Sequence, residues 1–175
     1  MSKGSMTPKI FLMNILNAVG AGVVIALLPN ALMGELLKLF KEGYTTLQTI
    51  YEIVVVIQSF MPFIIGVLAA HQFKFSGAGA TMIGTSAMIG SGVIKVTGTS
   101  FNMSGVGDII NVIVVVIITC ALYMLLQNKL GSLEMIILPV LIPVIGGGLG
   151  LYTLPYVTNV TKTIGQIVNS FTDFN

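Results

Sequence analysis

The chain has no arginine and no tryptophan, and only one histidine and one cysteine in 175 residues. Without arginine there is no planar fork for bidentate phosphate contacts, and a scattered net charge of +2 makes no basic patch, so nucleic acid is not a partner. The one cysteine, Cys120, excludes an internal disulfide framework and a cysteine-rich metal centre. It lies in an apolar run, where a packed, inert thiol is the plain reading. No metal-ligating cluster and no nucleophile–base pair stands out, so neither a metal, a cofactor nor an autonomous catalytic site is read. Charge is the scarcest property of all. Charged residues make up 8% of the chain, against about 25% in a soluble domain.

What replaces charge is length of apolar chain. Charge-free runs cover residues 10–34, 53–73, 75–94, 109–128 and 135–161, and the mean hydropathy is +0.99. A hydrocarbon core of about 30 Å takes about 20 helical residues, so each run is long enough to cross. A charge at the centre of a span costs about 2.5–3.5 kcal/mol, and nearly all charges fall at the edges of the runs. We read an all-α, polytopic helical membrane protein with about five transmembrane or re-entrant helices and two interfacial amphipathic helices. It forms one membrane domain over residues 1–175, with spans at about 10–28, 53–71, 76–94, 109–126 and 133–155.

The run between Lys74 and Lys95 is unlike the others. From Ser76 to Gly92, 13 of 17 residues are Gly, Ala, Ser or Thr. That is too glycine-rich for a stable lone helix in water, whereas in a bilayer small residues let backbones approach and hydroxyls bond across the gap. The run is the close-packed centre of the protein, with Gly84 and Gly90 as packing positions, and it either spans or re-enters.

In the first span, Asn14, Ala18, Gly22 and Ala26 recur every four residues, with Asn17 beside them. Ala18 and Gly22 make a packing seam; the two amides either bond a neighbouring helix or line a polar pathway. Pro29-Asn30 is expected to end this helix, and residues 31–42 to form an amphipathic helix in the interface. A polar hinge over residues 44–49 leads to the second span, where Glu52 suits the helix N-terminus and Pro62 predicts a kink. His71, among phenylalanines at a span's end, reads as an interfacial residue or as part of a polar site.

Residues 96–108 read as a polar loop ending in Asp108, which either caps the next helix or, with Lys95, brackets a re-entrant loop over a substrate. In the last span Pro139, Pro143 and Gly146-Gly147-Gly148 predict a broken or strongly bent helix, as substrate sites in transporters use, or a bent helix packed through its glycines. Leu154-Pro155 closes it, and residues 157–171 follow as a second amphipathic helix. With five spans the lysines divide four against four between the two sides; with a re-entrant centre the N-terminal side takes five against three.

The strings TPKIFLMNILNAVGAGVVIALLPNALMGELLK, GATMIGTSAMIGSGVIK, the GVGD opening a span and LPVLIPVIGGGLGLYTLPYV together resemble the phosphotransferase-system enzyme IIC-like membrane proteins, the group that includes the perfringolysin regulator. The resemblance runs over essentially the whole chain. It implies a multi-pass protein of the bacterial cytoplasmic (inner) membrane, related to sugar-translocating IIC components. It also implies a lipid bilayer around the chain, a homodimer, a small sugar as ligand and a IIB-type cytoplasmic partner that phosphorylates the sugar. Members of the group are roughly twice as long, and this chain resembles their N-terminal half. In the better understood IIC proteins the first half builds the scaffold and dimer contact, and a second IIC half holds the sugar site.

The resemblance therefore implies a scaffold half of a sugar translocator. The alternative is a membrane regulator or sensor, for example of toxin expression, without transport; a self-assembling pore is a third. Asn14, Asn17, His71 and Asp108 are the candidate substrate-binding residues.

Overall fold

Thr7 opens the first helix, its hydroxyl accepting the Ile10 N–H at 3.3 Å, with Pro8 at the first helical position where no donor is needed. The structure, a computed structural model, describes residues 6–40 and 44–172. Helix α1 (Pro8–Pro29) buries Ile15, Ala18, Gly22 and Ala26 on one face. The expected break at Pro29-Asn30 does not occur. The chain rewinds into a π-helical turn over Asn30–Gly34 and runs on as α2 (Glu35–Phe40), so that Pro8–Phe40 is one helical rod. Proline removes one rung of the ladder, and a wider turn absorbs the loss while the helix continues. The amphipathic segment expected at 31–42 is therefore the far end of the first helix; residues 41 and 42 lie outside the described residues.

The next element also starts earlier than expected. Helix α3 (Thr45–Ser59) takes in the predicted hinge, because Gln48 Nε2 donates to Glu52 Oε1 at 2.7 Å and Thr49 Oγ1 to the Thr45 carbonyl at 3.0 Å. Glu52 thus sits in mid-helix beside Gln48 and not at an N-terminus. A 48° bend separates α3 from α4 (Met61–Gln72). Pro62 cannot donate to the previous turn, and the Phe60 N–H is shared between the Val56 and Ile57 carbonyls at 3.2 and 3.1 Å.

Helix α5 (Gly77–Gly90) is the small-residue run. At 14 residues it is about 21 Å long, shorter than a full crossing. It is followed by a hairpin, β1 (Ile94–Thr97) and β2 (Ser100–Met103), where a polar loop was expected. Gly98, at φ +62°, supplies the left-handed residue that a two-residue hairpin turn demands. Helix α6 (Ile109–Leu126) then runs antiparallel to α5. At one end Ser76 Oγ and the Tyr123 hydroxyl are 2.9 Å apart; at the other, Asn111 reaches Gly90. Helix α5 therefore runs beside α6 between its two ends. Lys74 and Lys95 lie at its opposite ends, and the six described lysines divide three against three, with Lys9, Lys74 and Lys129 at one end and Lys38, Lys95 and Lys162 at the other; Lys3 and Lys41 lie outside the described residues.

The last helix, α7 (Glu134–Thr172), is unbroken. Pro139, Pro143 and Pro155 are accommodated within it, and Gly146-Gly147-Gly148 stays helical. The physical reason is contact. A Cβ on Gly146 would collide with Thr119 Cγ2, and one on Gly147 would lie 2.8 Å from Ile89 Cγ2. Neighbouring helices fill the space that unwinding would need. Residues 157–171 are the continuation of α7 and not a separate interfacial helix; the side chain at 171, the end of the expected apolar stripe, lies outside those described.

Among the described residues three helices are long and apolar enough to cross a membrane: Pro8–Phe40, Ile109–Leu126 and Gly131–Ser170, with a fourth if α3 and α4 form one bent span. Helix α5 packs among α4, α6 and α7. A Cβ on Gly66 would fall 2.7 Å from Gly84 Cα, and one on Gly150 would fall 2.6 Å from Gly90 Cα and 2.5 Å from Val115 Cγ2. On the other flank, Gly22 of α1 meets Ile65 of α4. Such approaches matter because lipid removes the hydrophobic drive between helices and leaves packing and hydrogen bonds to hold them.

Asn111 ties three of these helices together. Its Nδ2 donates to the carbonyls of Gly90 at 2.6 Å and Gly150 at 2.8 Å, and its Oδ1 accepts the Thr153 hydroxyl at 2.7 Å. Gly150→Ala forces Gly90 backbone away and lowers stability by about 1–3 kcal/mol, whereas Gly148→Ala, which meets nothing within 4 Å, leaves the melting temperature in detergent unchanged or slightly raised. Asn111→Ala removes the tie and lowers stability by about 1–3 kcal/mol by the same measurement.

Candidate functional site

Where α5 ends, the chain turns out and back through the hairpin and re-enters at α6, and α7 passes alongside. The base of the hairpin is stitched by Ser104 N–H to the Val93 carbonyl and Asp108 N–H to the Ser91 carbonyl, both at 3.0 Å. Ser91 Oγ donates to the Met88 carbonyl at 2.8 Å and accepts the Val93 N–H at 3.2 Å, which fixes the turn out of α5. Beyond this base opens a cavity of about 640 Å³, walled by Ser91, Lys95, Asp108, Leu154, Thr158 and Thr161.

Asp108 does two things here. Its Oδ1 accepts the Asn111 N–H at 2.9 Å and so caps α6, and the half-buried carboxylate forms part of the cavity wall. Lys95 is exposed on β1 and lines the same cavity. The two are not an ion pair, since among the described residues the salt bridge is the exposed Lys38–Glu35 contact at 2.7 Å. The cavity thus presents a cation, an anion, two threonine side chains and the apolar flank of Leu154. Such a surface can donate to and accept from a hydroxyl-rich ligand while an apolar side lies against a C–H face.

The other candidates lie elsewhere. Asn14 is half-buried on α1, Asn17 is exposed on the outer face of the same helix, and His71 is exposed near the end of α4. His71 belongs to the end marked by Phe73, Phe75 and Tyr123, opposite to Asp108. Asn14, Asn17, His71 and Asp108 therefore do not converge, and of the four only Asp108 borders this cavity. Thr158 and Thr161 were missed because they lie in a segment expected to be a separate surface helix. Asn111 and Thr153, just beneath the cavity, were missed as well. The available signal was Asn111 itself, an amide inside the plainest apolar run, which at membrane depth must find protein partners.

Asparagine caps a helix as well as aspartate does, and alanine does not. Asp108→Ala should lower stability by about 1 kcal/mol and Asp108→Asn by much less, read as melting temperatures in detergent.

Comparison with known proteins gives one match. The family described as Phosphotransferase system, EIIC matches residues 13–175. Comparisons with curated proteins and with solved structures return no match. The resemblance read from the sequence is thereby confirmed at the level of the family, while the narrower grouping with the perfringolysin regulator is not addressed. With several helices apolar enough to cross a bilayer and a family match over nearly its whole length, the chain belongs to the phosphotransferase-system EIIC family, as a membrane component of sugar transport.

Proposed function

We propose that this chain is the scaffold and dimerisation part of a IIC sugar translocator in the bacterial cytoplasmic membrane. The observation that carries this reading is the fate of the buried polar groups. Among the described residues the buried polar side chains are Ser59, Ser86, Ser91, Asn111 and Thr119, and each bonds a helix carbonyl, whereas the buried Oδ1 of the half-buried Asn30, in the π turn after α1, has no partner. Ser86 also reaches across to the Ile142 carbonyl at 3.3 Å. Polar groups spent in this way hold helices in place and leave the interior without a hydrated lining.

The cavity at the Lys95–Asp108 end is where this scaffold meets the sugar, with the rest of the site supplied by a second IIC half. Phosphorylation of the sugar falls to a IIB-type partner. The ammonium of Lys95 donates to sugar hydroxyls and the Asp108 carboxylate accepts from them, while Leu154 lies against the ring. The exposed apolar faces of α1, which include Val24 and Ile25, and of α7, which include Val140 and Val144, are available to lipid and to a second copy.

The test is uptake of labelled sugar by proteoliposomes holding this chain, a second IIC half and a IIB partner. Uptake is expected only with all three present. Asp108→Asn, which keeps the helix cap, and Lys95→Gln should each reduce it about tenfold or more, as the loss of a hydrogen bond to a charged group worth about 1.5–3 kcal/mol predicts. Uptake of no sugar by the complete set overturns the reading. A change in transcription on deletion of the gene, with uptake unaltered, would instead favour a membrane regulator.

A further inference from the structure

The hairpin has two chemically different faces. Cross-strand pairing sets Ile94 opposite Met103 and Val96 opposite Phe101, and the period of two places all four on one face. The other face carries Lys95 opposite Asn102 and Thr97 opposite Ser100. On the apolar face Phe101 is 76% exposed, Val96 62% and Met103 45%. A two-stranded hairpin with its apolar face in water is marginal by itself, so something covers this face.

We propose that the cover is the bilayer: the β1–β2 hairpin is a lipid anchor, holding Val96, Phe101 and Met103 in the headgroup–acyl boundary. Two placements support lipid as the occupant. The hairpin springs from the level at which α6 begins, since Ser91 and Val93 bond Asp108 and Ser104 there, so it leaves the bundle at the edge of a membrane-crossing helix. At its base the polar face borders the bundle, because Lys95 shares the cavity wall with Thr158 and Thr161 of α7; Val96, the next residue, therefore points away from the cavity. Amphipathic elements with this division lie about 5–10 Å into the boundary, with lysine heads kept in water.

The inference rests on the membrane placement of the bundle and not on sugar binding. The absence of tryptophan provides the test, since any introduced indole is the sole reporter. Full-length Phe101→Trp, Val96→Trp, Asn102→Trp and Val140→Trp variants would be placed in phosphatidylcholine vesicles. The lipid would carry bromine either near the acyl carbonyl or near the chain end. Val140, 64% exposed on α7 close to the level of Ile142, reports on the bundle itself.

The expected result is that the Phe101 and Val96 reporters emit to the blue of the Asn102 reporter. They lose most of their emission to the shallow bromines and resist aqueous acrylamide, while the Val140 reporter is quenched by the deep bromines. Acrylamide access at Phe101 equal to that at Asn102, with Val140 still quenched, overturns the anchor and leaves the membrane placement standing. Protection of Phe101 from both acrylamide and bromine means that a protein face, a second copy or a partner, covers it, and this also overturns the anchor. An unquenched Val140 reporter overturns the membrane placement and the anchor together.

Discussion

The close approach of Gly90 to Gly150, spanned by the Asn111 side chain, is the constraint on which the rest of the bundle depends. In a bilayer, apolar side chains gain nothing by leaving lipid for each other, so helices associate only where backbones come near enough for dense contact and direct bonds. Helix α5 meets that condition on two flanks, through Gly84 against Gly66 of α4 and through Gly90 against Gly150 of α7. A single amide then bonds the end of α5, the middle of α7 and the Thr153 hydroxyl. Gly90 is the last residue of α5, where the carbonyl lacks an intrahelical donor, and Asn111 supplies one. One side chain thus ends one helix and locks two others beside it.

That arrangement explains which features could be read from the chain. The class and the position of the small-residue core were legible, because composition and apolar run length depend on the solvent around a segment and hardly on its neighbours; the family came from the resemblance of whole strings. The breaks were not. Pro29, Pro139, Pro143 and the glycines at 146–148 all carry local signals for interruption, yet α1 continues through a π turn and α7 is helical throughout. For α7 the competing term is tertiary: Thr119 and Ile89 occupy the space beside the glycines, and loosening the helix would forfeit those contacts. The cavity was half legible. Lys95 and Asp108 drew notice as a pair bracketing a loop, but Thr158 and Thr161 join them only because α7 continues as a helix past Pro155.

Helix continuity also makes the two ends of the bundle unlike. Helix α7, at 39 residues, is about 58 Å long, and even a tilt of about 40° leaves about 44 Å along the normal, well beyond a hydrocarbon core of about 30 Å. The surplus lies at one end. Glu134 accepts the Asn128 N–H beyond the C-terminus of α6, while residues 162–170 are exposed past the cavity at the α6 N-terminus. The first rod, Pro8–Phe40, is overlong toward the same end, since Phe11 stacks with Phe73 at the opposite one.

The elaborated end therefore holds two helix extensions, the hairpin and the cavity, whereas the other is closed by an aromatic layer of Phe11, Phe73, Phe75 and Tyr123. Function follows from that asymmetry more directly than from net charge, since the described lysines are evenly divided between the two ends. Lys95 and Val96 are adjacent on one short strand and point to opposite faces, one to the cavity and one away from it. With Val96 held in lipid, the depth of the bilayer surface sets the position of the Lys95 ammonium. The hairpin then serves as a spacer that holds the charged rim of the cavity at a fixed distance from the membrane, at the end where the scaffold has surface to offer a partner.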